Sequence, residues 1–95
     1  MAYKIVVQKC FAAKLNKIVE YLESEWGDKV ARDFFNNVND RINSLKHHPF
    51  IGSPSHKYKG ARGLYITKHN RLIYTVRGEN VYILNIYDTR QKFYQ

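Results

Sequence analysis

The chain of 95 residues reads as an α+β domain: an N-terminal strand, an antiparallel helical hairpin, and then a three-stranded antiparallel meander, with one twisted sheet packed on the helices. Three observations predict this. Two apolar stripes at helical spacing follow one another between Phe11 and Leu45. Three runs rich in β-branched and aromatic residues occupy the last third. One further run of that kind opens the chain.

Residues 3–8, YKIVVQ, are too few for a helix and suit a strand. From about residue 10 to 25, Phe11, Leu15, Ile18, Leu22 and Trp26 recur at spacings of three and four, with Ala12 and Val19 widening the stripe. Gly27 breaks this pattern, and Asp28 is expected to cap a second helix by accepting hydrogen bonds from its free N–H groups. The second stripe is Ala31, Phe34, Phe35, Val38, Ile42 and Leu45, ending before His47, His48 and Pro49. Trp26 and Phe34 are assigned to the core, and Cys10 to a packed position where a helix opens.

The segment PFIGSPSHKYKGARG holds both prolines and three of the five glycines and reads as a loop. LYITK, RLIYTV and VYILNIY then read as antiparallel strands, the last two joined by a tight turn over Arg77, Gly78, Glu79 and Asn80. The N-terminal strand must join this sheet, since alone it cannot satisfy its backbone groups. One face packs on the helices and the other stays accessible. Residues 1–95 are expected to form a single domain.

No run approaches the roughly 18 apolar residues that span a bilayer, and the first residues are too short an apolar stretch for a signal peptide. A cytoplasmic protein with no membrane role is expected. Cys10, the single cysteine, cannot form an internal bridge, and the chain has no CxxC zinc framework. His47, His48 and His56 lack supporting acidic or cysteine ligands, so no metal and no cofactor are expected.

Sixteen Lys and Arg against eight Asp and Glu give a formal net charge of +8. Of this, +7 falls after Leu45, where nine basic residues meet two acidic ones. Six of the eight tyrosines lie in the same half. Interleaved cations and rings suit a nucleic-acid surface, in which phosphates are held and bases stack. The alternative is a basic soluble domain whose strand tyrosines belong to its core.

Four segments carry a resemblance. YLESEWGDKVARDFFNNVNDRINSL in the helices, HPFIG at their exit, ITKHNRLIY in the central hairpin and NIYDTRQ near the end resemble, in this order, the RelE/ParE superfamily of small bacterial toxins from type II toxin-antitoxin systems. The resemblance covers about residues 3–91. It implies a compact sheet-and-hairpin fold and a cognate antitoxin whose extended segment wraps the toxin. The charge of +7 in the second half would attract an acidic segment, and helix stripes wider than the core needs would leave surface for it. The other possibility is that the chain's own core consumes both stripes.

In the RelE-like branch, messenger RNA is cut on the ribosome without a metal, a 2′-OH attacking the adjacent phosphate. That chemistry needs a base, fixed positive charge around the phosphate, and a donor at the departing oxygen. By resemblance, Arg71 in HNRLIY matches the phosphate-contacting strand arginine and Arg90 in DTRQ the arginine serving the leaving group. Tyr94 would stand for the C-terminal tyrosine that orients a base, with Tyr87 a weaker candidate. Lys57, Lys59, Arg62 and Lys68 would add RNA contacts. Where cleaving members carry lysine, or glutamate with a further arginine, this chain reads GLYIT, with no evident base. Nearby substitutes are His69, whose ordinary pKa of about 6.5 suits proton abstraction near neutrality, and Lys68, which would first have to lose its proton; a solvated turn histidine is the better account of His69.

Three functions follow as expectations. The first is a ribosome-dependent mRNA endonuclease. The second, from the ParE-like branch, is a poison of DNA gyrase that acts by protein contact and needs no catalytic residues. The third is a module that binds RNA or antitoxin without toxicity. In each, the cationic side chains of the last three strands are expected to converge into one patch.

Overall fold

A computed structural model describes residues 2–89. Strand β1 (Lys4–Val7) leads into helix α1 (Lys9–Trp26) and helix α2 (Asp28–His47). Strands β2 (Ser53–Pro54), β3 (Arg62–Tyr65), β4 (Asn70–Arg77) and β5 (Asn80–Asp88) follow. They form one sheet of five strands in the order β1-β5-β4-β3-β2.

Both helices follow the predicted stripes. Gly27 joins them at φ 96°, a backbone shape that L side chains rarely adopt, and serves both ends. Its N–H donates to Glu23 O at 3.0 Å, and its carbonyl accepts from Ala31 N at 3.2 Å. The cap is therefore Gly27 and not Asp28. Asp28 is the first residue of α2, where its charge favours the positive helix end without a side-chain hydrogen bond.

The sheet contains the expected antiparallel meander, joined by β1 in the parallel sense. β2, β3, β4 and β5 pair antiparallel, but β1 runs parallel to β5, with Lys4 opposite Asn80 and Val7 opposite Ile83. The hairpin returns the chain beside its start, where Tyr3 N donates to Lys46 O at 2.8 Å. The expected loop also contains the two-residue strand β2 on the far edge.

A bulge in β5 sets which side chains face the helices. Tyr74 pairs with Ile83 but Ile73 with Asn85, so Leu84 is the extra residue. Ile83 and Ile86, three apart, thus both reach the core, where they meet Phe11, Leu15, Phe34, Val38, Leu45, Leu72, Tyr74 and Val81. Burial at this density contributes about 1.5–3 kcal/mol per large side chain. Trp26 is not part of this core: it is 68% exposed at the end of α1, past the point where the helix leaves the sheet. Cys10 is likewise exposed, because the first turn of α1 stands at the sheet's rim.

Candidate functional site

Alternation along β4 sends Leu72 and Tyr74 to the core and Arg71, Ile73, Thr75 and Arg77 to the opposite, open face. From β3, Gly63 and Tyr65 lie beside Ile73 and Arg71 on that face. From β5, Tyr82, Asn85 and Tyr87 stand opposite Thr75, Ile73 and Arg71.

Arg71 reaches across Gly63 to the edge strand. Its Nη2 donates to Ser53 Oγ at 2.9 Å and Ser53 O at 3.3 Å, and approaches Pro54 O at 3.5 Å. The guanidinium also lies 5.3 Å from the Tyr65 ring centre, a cation–π distance. Nε is buried without an acceptor. A Cβ on Gly63 would run into this group, so glycine is needed there for close approach. Among the described residues, Arg71 donates only to neutral oxygens, which leaves its charge uncompensated.

The segment after β2 folds over the same face. Ser55 Oγ accepts from Lys57 N and Tyr58 N at 3.2 and 3.1 Å, and Thr75 Oγ1 donates to Gly60 O at 3.3 Å. Lys57 Nζ thereby lies 4.5 Å from the Tyr87 ring centre. Asn85 Nδ2 donates to the Tyr58 hydroxyl at 2.9 Å while Asn85 Oδ1 accepts from Ile86 N at 2.9 Å, which satisfies this buried amide. Cys10 Sγ is 3.9 Å from Asn85 Oδ1, a weak contact that makes it a neighbour of the network.

The sequence-predicted residues separate into groups. Arg71, Lys57 and Tyr87 share the open face, together with Lys59 from the loop. Arg62 turns the other way: its Nη1 donates to Gly52 O at 2.7 Å and Phe50 O at 3.4 Å, and it stacks 5.2 Å from the Phe50 ring. It braces the exit of the hairpin. Lys68 and His69 lie in the turn between β3 and β4. There the His69 carbonyl accepts from Thr89 N at 2.7 Å and Thr89 Oγ1 at 3.2 Å. Arg90 and Tyr94 lie outside the described residues. Among the described residues no three His, Cys, Asp or Glu gather as a metal site, and no helix is long and apolar enough to cross a membrane.

Sequence reasoning passed over Ser53, Gly63, Tyr65, Asn85 and Arg77. Only Gly63 carried a signal, as a glycine at the start of a strand run. Tyr74, one of the six tyrosines of the second half, takes the core alternative and anchors the site from below. Its hydroxyl accepts from Gly52 N at 2.9 Å in the core, and burial pushes its pKa up, opposed by that hydrogen bond and by the nearby Arg62 charge.

A second concavity lies on the helix side. A cavity of about 880 Å³ separates the helices from the far end of the sheet, lined by Ile18, Tyr21, Leu22, Val30, Phe34 and Ile86 with polar residues around them. Tyr21 and Val30 are exposed here outside the two stripes, while Trp26 and Phe35 within them are 68% and 43% exposed, so the stripes exceed what the core consumes.

The chain thus packs a helical hairpin on a mixed five-stranded sheet whose open face carries a cross-strand arginine. Residues 5–93 match the family described as "ParE toxin of type II toxin-antitoxin system, parDE", and the chain belongs to that family. No curated protein sequence matches it. Among solved structures it is similar to one titled "Chromosomal ParDE TA system from P. aeruginosa", with a TM-score of 0.79 at 20% identity over 92% of this chain and 96% of that one. It is also similar to the YoeB/ParE toxin from Agrobacterium tumefaciens, with a TM-score of 0.66 at 20% identity over 90% and 96% of the two chains. The E. coli DinJ-YafQ toxin-antitoxin complex gives a TM-score of 0.66 at 14% identity over 98% and 99%.

Proposed function

We propose that this toxin arrests growth by binding a protein target, DNA gyrase, and not by cutting RNA, and that a cognate antitoxin restrains it. The observation that carries this reading is the state of Arg71. Its Nη2 is committed to Ser53 and Pro54, its Nε is closed against Gly63, and among the described residues none of its contacts is with a histidine, lysine or carboxylate. RNA cleavage by a 2′-OH needs a base beside the phosphate-holding cation. Protein contact needs only a shaped surface, which the fold supplies. Membership of the ParE family supports the same reading.

The cavity between the hairpin and the sheet suits the antitoxin. Its apolar floor, with Lys14 and Lys17 on the rim, fits an amphipathic segment carrying acidic residues. Similar folds are solved as toxin-antitoxin complexes.

The test is a pair of assays on the purified chain. With gyrase and relaxed plasmid, supercoiling should stop and cleaved DNA complexes should accumulate. In a translation extract, message should stay intact. Discrete message cuts with gyrase unaffected would instead establish the nuclease reading.

A further inference from the structure

The open face carries a second cationic centre that neither gyrase contact nor antitoxin binding requires. Under the 55–61 segment lies a cavity of about 380 Å³ lined by Lys57, Lys59 and Arg77, with Thr75, Tyr58, Ala61 and Leu84 around them. Lys59 and Arg77 are exposed, so their charges are free to meet a ligand. Arg77 shares its face of β4 with Arg71, six residues away, and the strand rise puts the two about 20 Å apart.

Most acidic residues are arranged away from this face. Six of the eight lie on α1 and α2. Asp88 lines the cavity on the helix side, and Glu79 occupies the β4–β5 turn. Glu79, two residues from Arg77, is the acid that stands beside this run of like charges, and the rest of the run is a surface shaped for a polyanion.

The rings on this face decide which polyanion. Lys57 covers Tyr87, Arg71 covers Tyr65, the Tyr58 hydroxyl is held by Asn85, and the Tyr82 hydroxyl accepts from Asn80 Nδ2 at 3.3 Å. Unpaired bases bind chiefly by stacking on free rings, and the Tyr87 and Tyr65 rings each already carry a cation, although Tyr65 is 49% exposed. An acidic peptide gains affinity by adding a strand to a free edge, but the edge beside this face is the two-residue β2, half of which is Pro54 with no N–H to donate. A duplex backbone needs neither. Cations spread over about 20 Å can reach phosphates on both sides of a groove roughly 12 Å wide.

We propose that Lys57, Lys59 and Arg77 form a phosphate-binding subsite which, continued by Arg71, seats the toxin on the backbone of a nucleic-acid duplex without reading its sequence. Association is then steered by charge, and its salt dependence reports the number of phosphates engaged.

Fluorescence anisotropy with a labelled mixed-sequence DNA duplex of about one and a half turns tests this, alongside an RNA duplex, the single strands and a glutamate-rich peptide. Four phosphates engaged, one for each named cation, predict that raising salt from 50 to 200 mM weakens duplex binding about 150-fold. Arg77→Ala should reduce the log–log salt slope by about one, and Lys59→Glu should weaken binding further. Lys14→Glu with Lys17→Glu, on the helix side, should leave the slope unchanged, circular dichroism confirming that each variant is folded. DNA and RNA duplexes binding alike supports backbone recognition, and a preference for DNA supports it with a groove constraint. Absence of duplex binding at 50 mM salt, tighter binding of single strands, equal displacement by the peptide, or equal sensitivity to the helix-side variants would each overturn it. Gyrase inhibition is read in a separate assay, so the two proposals fail independently.

Discussion

The guanidinium of Arg71 lies across the Cα of Gly63, in the space where any other residue would place its Cβ. The pair locks the edge strand to the sheet, because the arginine reaches Ser53 only over a bare backbone. Gly63→Ala is therefore expected to eject the guanidinium and destabilise the fold by about 1–3 kcal/mol, as overpacking does. Urea denaturation gives the figure. In the double variant with Arg71→Ala the alanine should be nearly neutral, and an unchanged penalty there would show that the clash lies elsewhere.

Tyr74 gives a prediction in the core. Tyr74→Phe leaves the buried Gly52 N–H without its acceptor and should cost about 1–3 kcal/mol. Gly52 itself tolerates no side chain, since a Cβ there would stand 2.6 Å from Gly63 O. A loss within a few tenths of a kcal/mol for Tyr74→Phe would show that the hydrogen bond contributes little.

The same hydroxyl sets an alkaline limit. Burial raises the Tyr74 pKa above its ordinary value of 10.0, so the unfolded chain gives up this proton first as pH rises. Stability from this group is whole below pH 10 and is lost as pH climbs from there through the folded-state value. Denaturation midpoints measured from pH 8 to 11 should fall less steeply for Tyr74→Phe than for the parent. Parallel slopes would contradict the assignment.

Gly27 and Trp26 are neighbours with opposite expectations. Gly27→Ala forces a side chain into φ 96° and should cost about 1–3 kcal/mol. Trp26→Ala, at 68% exposure, should shift stability by no more than about 0.5 kcal/mol. Leu72→Ala, fully buried, should cost about 2–5 kcal/mol. Thermal melts of the three variants rank them directly.

Much of this fold is legible in the residues themselves because local patterning and tertiary packing agree. The spacing of Phe11, Leu15, Phe34 and Val38 places two helices whose buried faces are those residues. What escapes is set by contacts distant in sequence. The parallel pairing of Lys4 with Asn80 depends on where the hairpin returns the chain, which no local pattern records. Trp26 continues the stripe numerically, yet its helix has by then outrun the sheet. Ile83 and Ile86 share a face only through the bulge at Leu84. At the site, Arg71 stands out by its place in HNRLIY. Its partners Ser53 and Gly63 do not, since a contact across three strands exists only once register is known.

The partnership of β1 with β5 also imposes an order of events on the newborn chain. Lys4 emerges 76 residues ahead of its partner Asn80, where the strand it lies against begins. The helical hairpin is local and can condense early, whereas β1 must wait, its edge bare, until β5 has been made. A toxin built this way is born unfinished: its sheet closes last, giving a partner that recognises extended chain an interval in which to arrive first.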